Sequence, residues 1–306
     1  MLIGFAVPVS GSWATPTNQV RLVRRAEELG YHSAWTFQRL LYPANPTGQR
    51  WAEPYRAVVD PLVTLAYLAG QTSAIRLGVA VLNMPFYSPA LLAKQLSTLD
   101  IVSAGRLDVG LGLGWSTEEY AASNVPYPRR GARGEEFLGA LRALWTDEVA
   151  EFHGEFYDFP AVRSDPRPVQ RPHPPILLGG AAPAALRRAG RLADGWVSSS
   201  GADLSTIGEP MEVVRRAAAD AGRDPETLRF VCRGSVRLRP DGGDNGGRRV
   251  LTGSLEEIRS DLAVLAGAGV TEVFVDLNFD PRIGSPDADP DASVARAEEV
   301  LTALAP

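Results

Sequence analysis

The sequence predicts a (β/α)8 TIM barrel with insertion segments, on three observations. Short apolar strands alternate with amphipathic helices along almost the whole chain, which implies a parallel sheet. Eight strand–helix pairs can be counted in 306 residues, the length such a barrel needs. One junction, Ile176-Leu177-Leu178-Gly179-Gly180-Ala181-Ala182-Pro183, runs from a strand through two glycines into a helix. An open, doubly wound sheet is the alternative arrangement of the same units.

The elements follow in order. Leu2 to Val7 is an apolar first strand, and Thr17 is a plausible N-cap for a helix that Gly30 stops after Leu29. Ser33 to Thr36 is the second strand, and Pro61 to Thr72 a helix with proline in its first turn. Ile75 to Val81 is the third strand. Ser88-Pro89 starts a helix to Val102 that carries Leu92, Leu96 and Leu99 on one face. Leu107 to Leu111 and a helix containing Glu135 to Trp145 make the fourth pair. The alternation breaks at about 146–175. There, Val149 to Phe159 reads as a small hairpin and Arg163 to Pro175 as a proline- and arginine-rich loop. It resumes with Ile176 to Leu178 and Ala184 to Leu192, Gly195 to Ser198 and Ser205 to Ala221, Leu228 to Val236 and Ser254 to Gly267, and Glu272 to Leu277 with a last helix near Ala292 to Leu304. All of this forms one domain over residues 1–306.

The strand–Gly-Gly–helix junction also suggests a function. Bare backbone N–H groups at a helix N-terminus attract a phosphate, and glycine lets it approach the main chain. The next strand ends in the hydroxyl-rich turn Ser198-Ser199-Ser200-Gly201, placed to offer further donors. An ordinary tight βα turn is the plain alternative. The Gly/Asp-rich stretch Pro240 to Gly247 reads as a mobile loop and a candidate lid.

Composition excludes several classes. A hydrophobic share of 45% and a charged share of 22% are those of a globular protein, and a net charge of −5 argues against nucleic acid as a partner. No apolar run is long enough to span a bilayer, and the N-terminus lacks the basic flank of a signal peptide. Cys232 is the only cysteine, so no disulfide framework exists and a cytoplasmic location is the default. His32, His153 and His173 are scattered, so no metal site is expected. Lys94, the only lysine, sits within a helical pattern, which leaves Schiff-base catalysis poorly supported.

Four motifs point the same way. They are Glu28-Leu29-Gly30-Tyr31-His32-Ser33-Ala34-Trp35; Ile75-Arg76-Leu77-Gly78-Val79-Ala80-Val81-Leu82 with Ser88-Pro89-Ala90; Ser103-Ala104-Gly105-Arg106 leading to Gly110-Leu111-Gly112-Leu113-Gly114; and Pro174-Pro175-Ile176-Leu177-Leu178-Gly179-Gly180 with Ala193-Asp194-Gly195-Trp196. The Gly110 to Gly114 run alone fails as a dinucleotide fingerprint on spacing. Together, over roughly residues 1 to 280, the motifs resemble the bacterial luciferase-like monooxygenase superfamily, and most of all its coenzyme F420-dependent branch. The resemblance implies a flavin-type cofactor across the C-terminal face of the barrel. Its phosphate would lie at Gly179, Gly180 and Ala181, with Ser199, Ser200 and Gly201 close by. Its ring would rest near a non-proline cis peptide at Ala80–Val81, beside Gln38 and Asn83.

The chain also departs from its relatives. Phe37 and Gln38 stand where the superfamily's sugar-phosphate dehydrogenases carry an acidic residue and a catalytic histidine. Trp115 stands where their glutamate falls, with Glu118 and Glu119 following. Gln38 cannot shuttle a proton near neutral pH, so that activity is not expected. Gln38, Trp115 and Glu119 are the candidate catalytic residues. Trp13, Tyr42, Trp51 and Asn83 are candidate pocket walls, and Arg39 and Arg282 candidate anion holders.

Three readings remain. The first is an F420-dependent oxidoreductase that passes a hydride between the deazaflavin and a C=C, C=N or C=O bond of a small organic substrate. The second is an FMN-dependent monooxygenase that uses reduced flavin and oxygen with a partner reductase. The third is a cofactor-binding protein without catalysis. By analogy the resemblance also implies a homodimer, through helices near Leu62 to Ala69 and Leu91 to Leu99.

Overall fold

The computed structural model describes residues 1–46, 51–239 and 248–306. The candidate lid at 240–247 lies outside the described residues. In chain order the strands and α-helices are β1 (Leu2–Ala6), α1 (Pro16–Glu28), β2 (Ser33–Thr36), α2 (Pro61–Ala69), β3 (Arg76–Asn83), α3 (Pro89–Val102), β4 (Leu107–Gly112), α4 (Thr117–Ala122) and α5 (Arg130–Thr146). They continue with β5 (Ala150–His153), β6 (Asp158–Val162), β7 (Ile176–Gly179), α6 (Pro183–Leu192), β8 (Gly195–Val197), α7 (Gly208–Asp220), β9 (Arg229–Ser235), β10 (Arg237–Leu238), β11 (Thr252–Gly253), α8 (Leu255–Gly267), β12 (Glu272–Asp276) and α9 (Pro290–Ala303).

Strands β1, β2, β3, β4, β7, β8, β9 and β12 pair in parallel and close into a barrel. The predicted α/β TIM barrel is therefore the observed fold. The break after α5 is the antiparallel hairpin β5–β6 followed by a long loop. Two boundaries are corrected. Thr15, not Thr17, caps α1, because its side chain accepts from Asn18 N–H and Pro16 follows at the first helical position. Helix α2 ends at Ala69, three residues before the expected Thr72, with Gly70 as its C-cap. Helix α4 and the pair β10–β11 are too short to leave a periodic signal.

The barrel is filled in layers. Ala6, Trp35, Ala80, Leu177, Val197, Val231 and Phe274 form the apolar middle, with Trp35 stacked on Phe274 at 5.2 Å. Gly78 is required there, because a Cβ would sit 2.4 Å from the Trp35 ring. Below lies a charged floor. Arg229 binds both Asp108 (2.7 Å) and Glu272 (3.0 Å), and Arg76 binds Asp108 (2.8 Å). Trp35 Nε1 and the Ser33 hydroxyl donate to the Glu272 carboxylate. Burial alone would raise the Asp108 carboxyl; Arg76 and Arg229 outweigh it and hold it below the usual range. Toward the C-terminal ends of β9 and β12 stand Arg233 and Asp276. Loops at these C-terminal strand ends build the mouth.

Candidate active site

The mouth divides into a glycine-lined side and an aromatic side. On the first, β3 carries the Ala80–Val81 peptide, which is cis, as the resemblance implies. Val81 packs against Gly112 and Gly179. A Cβ on Gly112 would lie 2.6 Å from one Val81 methyl, and one on Gly179 3.0 Å from the other. Asn83, two residues on, is 2% exposed, and its Nδ2 has no hydrogen-bond partner. Gly114 faces the Asn83 amide, where a Cβ would stand 3.4 Å from it. Together these residues form a smooth wall with one unspent donor.

The β7–α6 junction borders this wall. Gly180 has φ +129°, and a Cβ there would lie 2.7 Å from the Ala185 Cβ. Trp196 Nε1 donates to the Gly180 carbonyl (2.8 Å) and so fixes the turn. Helix α6 begins at Ala182-Pro183 with no side-chain cap, and Gly180, Ala181 and Ala182 are exposed. An uncapped, exposed helix start is what an anion site needs. Ser199 and Gly201 are exposed beside it, while the Ser200 carbonyl accepts from Arg249 (2.9 Å) and Ser235 (3.2 Å). Outward from the turn, between α6 and α7, lies a cleft of about 340 Å³ lined in part by Ala181, Trp196, Ser199, Asp203 and Thr206.

The aromatic side comes from the loops after β2, β4 and β12. Phe37, Tyr55 and Phe279 lie 5.5–6.1 Å from one another, and Tyr55, Trp51 and Trp115 continue the cluster. The Tyr55 hydroxyl lies 3.4 Å from the Ser200 hydroxyl, joining this side to the turn after β8. Tyr42 packs edge-on against Trp51. Trp13 is wholly buried, with an unpartnered Nε1. Arg282 is exposed and stands outside the cluster.

Gln38 ties β2 to β3. Its Oε1 accepts the Asn83 N–H (2.9 Å), and its Nε2 donates to the Tyr87 hydroxyl (2.5 Å). Both ends of the amide are thus in use. Burial and nearby Asp60 push the Tyr87 phenol up to about 12, so it holds its proton at neutral pH. Glu119 is fully buried. Its Oε1 accepts the Leu40 N–H (2.8 Å), and its Oε2 faces Arg39 Nη1 at 3.4 Å.

Arg233 is the residue that reading the sequence missed. It sits under the mouth, donates to the Ala80 carbonyl, faces Asp276 at 3.6 Å and lies against Phe37, Phe274 and Phe279. Burial pushes the Asp276 carboxyl up and the Arg233 guanidinium down, and each partly offsets the other. The available signal was a charged residue inside the apolar strand Phe230-Val231-Cys232-Arg233. Neighbouring Cys232 is inert, its thiol pushed up to about 12 by burial. Among the described residues no cluster of three or more His, Cys, Asp or Glu could hold a metal ion, and no helix is long and apolar enough to cross a membrane.

Known proteins share this architecture. The luciferase-like monooxygenase family matches residues 2–244. An uncharacterized protein of Mycobacterium tuberculosis (strain H37Rv) is 33% identical over 314 residues, covering 100% of this chain and 99% of its own. The FMNH(2)-dependent dimethylsulfone monooxygenase of Pseudomonas putida is 38% identical over 164 residues, covering 52% of this chain and 45% of its own. The monooxygenase RslO1 of Streptomyces bottropensis superposes with a TM-score of 0.81 at 26% identity, covering 99% of this chain and 98% of its own. An F420-dependent secondary alcohol dehydrogenase shares the fold, with a TM-score of 0.79 at 18% identity, covering 99% of this chain and 98% of its own. The chain belongs to the luciferase-like monooxygenase family and is an oxidoreductase of that family.

Proposed function

We propose that the chain transfers a hydride between coenzyme F420 and a small organic substrate. One observation carries this reading: the glycine-lined wall, the uncapped α6 start and the outer cleft follow one another from the mouth outward. A deazaflavin whose phosphate carries a further substituent needs all three spaces, whereas FMN ends at its phosphate. The residues fit such a group. Val81 and Asn83 would border the ring, and the Asn83 Nδ2 would meet an acceptor on it. Gly179, Gly180 and Ala181 would hold the phosphate, with Ser199, Ser200 and Gly201 beside it.

When bound, the deazaflavin supplies or accepts the hydride. The chain's own residues orient and exclude water. Gln38 holds the end of β3 in place. Tyr87, whose oxygen receives the Gln38 N–H, keeps its own proton free to donate. Glu119 and Trp115 fix the wall opposite the glycines. These roles make catalysis here a matter of positioning.

The second reading, a reduced-FMN monooxygenase, is favoured by the likeness to the FMNH(2)-dependent P. putida monooxygenase and to the monooxygenase RslO1. Parallel fluorescence titrations with F420 and FMN separate the two. Tighter binding of F420 is expected, with loss of that preference when the outer cleft, which Ala202 also lines, is filled by Ala202→Trp. Tighter binding of FMN would replace the first reading by the second.

A further inference from the structure

Arg39 occupies an unusual position for a group that merely fills space. Its guanidinium lies 4.8 Å from the Trp115 ring centre, 5.0 Å from Tyr55 and 5.8 Å from Trp51. Its Nε donates to the Gln38 carbonyl (2.9 Å), and its Nη1 faces Glu119 at 3.4 Å without making a hydrogen bond. Only 8% of the side chain is exposed. Its Nη2 has no hydrogen-bond partner among the described residues and, unlike Nη1, is not sealed from solvent. Three rings thus border the cation, two of its nitrogens are turned to protein oxygens, and one nitrogen, Nη2, is left over.

Burying an arginine costs several kcal/mol before pairing, and an apolar side chain would fill a three-ring cage at no such cost. A guanidinium with one nitrogen still free can instead donate a charge-assisted hydrogen bond to an oxyanion such as a carboxylate. The adjoining surface is aromatic, so the body of the guest would be a ring. We propose that Arg39 is a specificity-determining residue and that the site takes planar aromatic carboxylates as substrates. This rests on the oxidoreductase site described above and adds the identity of its guest.

The test uses the cofactor-loaded enzyme with 2-naphthoate and its neutral analogue 2-naphthol as probes, each followed by changes in the bound cofactor's spectrum. The wild type should bind naphthoate at least tenfold more tightly than naphthol. Arg39→Met should erase that preference while naphthol affinity and cofactor affinity stay within twofold, and Arg39→Lys should restore part of it. Because Arg39→Met leaves Glu119 buried without its cation, Arg39→Met/Glu119→Gln serves as the folding control and should behave the same way. Equal binding of the two probes by the wild type, or an unchanged preference in both methionine variants, would overturn the proposal. So would loss of cofactor binding in those variants, which would make Arg39 a cofactor residue. Failure of the wild type to bind either F420 or FMN would show separately, in the loading step, and would remove the underlying reading together with this one.

Discussion

Gly180 and Gln38 make the sharpest demands at the scale of single residues. Gly180 combines a positive φ with a Cβ position already claimed by Ala185, so Gly180→Val is both strained and blocked. Cofactor dissociation constants measured by fluorescence should rise at least tenfold in that variant, with secondary structure by circular dichroism unchanged. An unchanged constant would return the junction to an ordinary turn. Gln38→Ala removes the acceptor of the Asn83 N–H and the donor to Tyr87. Leaving a buried N–H unpaired costs about 1–3 kcal/mol, which loosens the end of β3. Turnover should fall about tenfold or more, by conversion of that cost to a rate, while cofactor affinity moves less. The sequence announced the glycine junction, because strand, glycines and helix are contiguous there. It could not announce Arg233 or the Arg39 cage, whose partners Ala80, Asp276, Trp115 and Glu119 come from distant segments brought together only by barrel closure.

Each element relies on local signals that were mostly readable. Ser88 caps α3, and Ser254 and Glu257 form a capping box on α8, as serine before a helical pattern suggests. The apolar strands were legible as well, but the charged floor beneath them was not. Arg76, Arg229 and Glu272 each open a strand and Asp108 is the second residue of its own, where a charge reads as a solvated end. Barrel closure instead brings them together, with Asp108 and Glu272 fully buried. Removing one partner of a buried ion pair costs about 3–5 kcal/mol, so Arg229→Met should lower stability in urea by that order. The acid limb carries a second prediction. Asp108 has a folded pKa below its unfolded value, so its contribution is complete above the unfolded value, near 3.8, and is lost as pH falls through the lower folded one. Asp108→Asn should therefore be less stable at neutral pH and flatter in its acid unfolding profile. A profile parallel to that of wild type would contradict the linkage.

For the whole molecule, the barrel order was legible because eight strand–helix units leave few alternatives once the sheet is parallel. The association state was not, because an apolar helix face serves a barrel wall and a subunit contact equally. Helices α2 and α3 bury one face against the barrel, yet Val63 (71% exposed), Leu91 (54%) and Tyr67 (46%) point outward. A second copy of the chain packing there is the expected cover. Sedimentation equilibrium should give a dimer for the wild type and a monomer for Val63→Asp/Leu91→Asp; a monomeric wild type would remove the expectation. The proposed chemistry stands or falls with the cofactor, which a pair of equilibrium titrations of the purified protein, with oxidised F420 and with FMN, identifies. Saturable binding is expected, with F420 the tighter ligand, abolished or weakened at least tenfold by Gly180→Val. Binding of neither, or binding indifferent to that substitution, would contradict it.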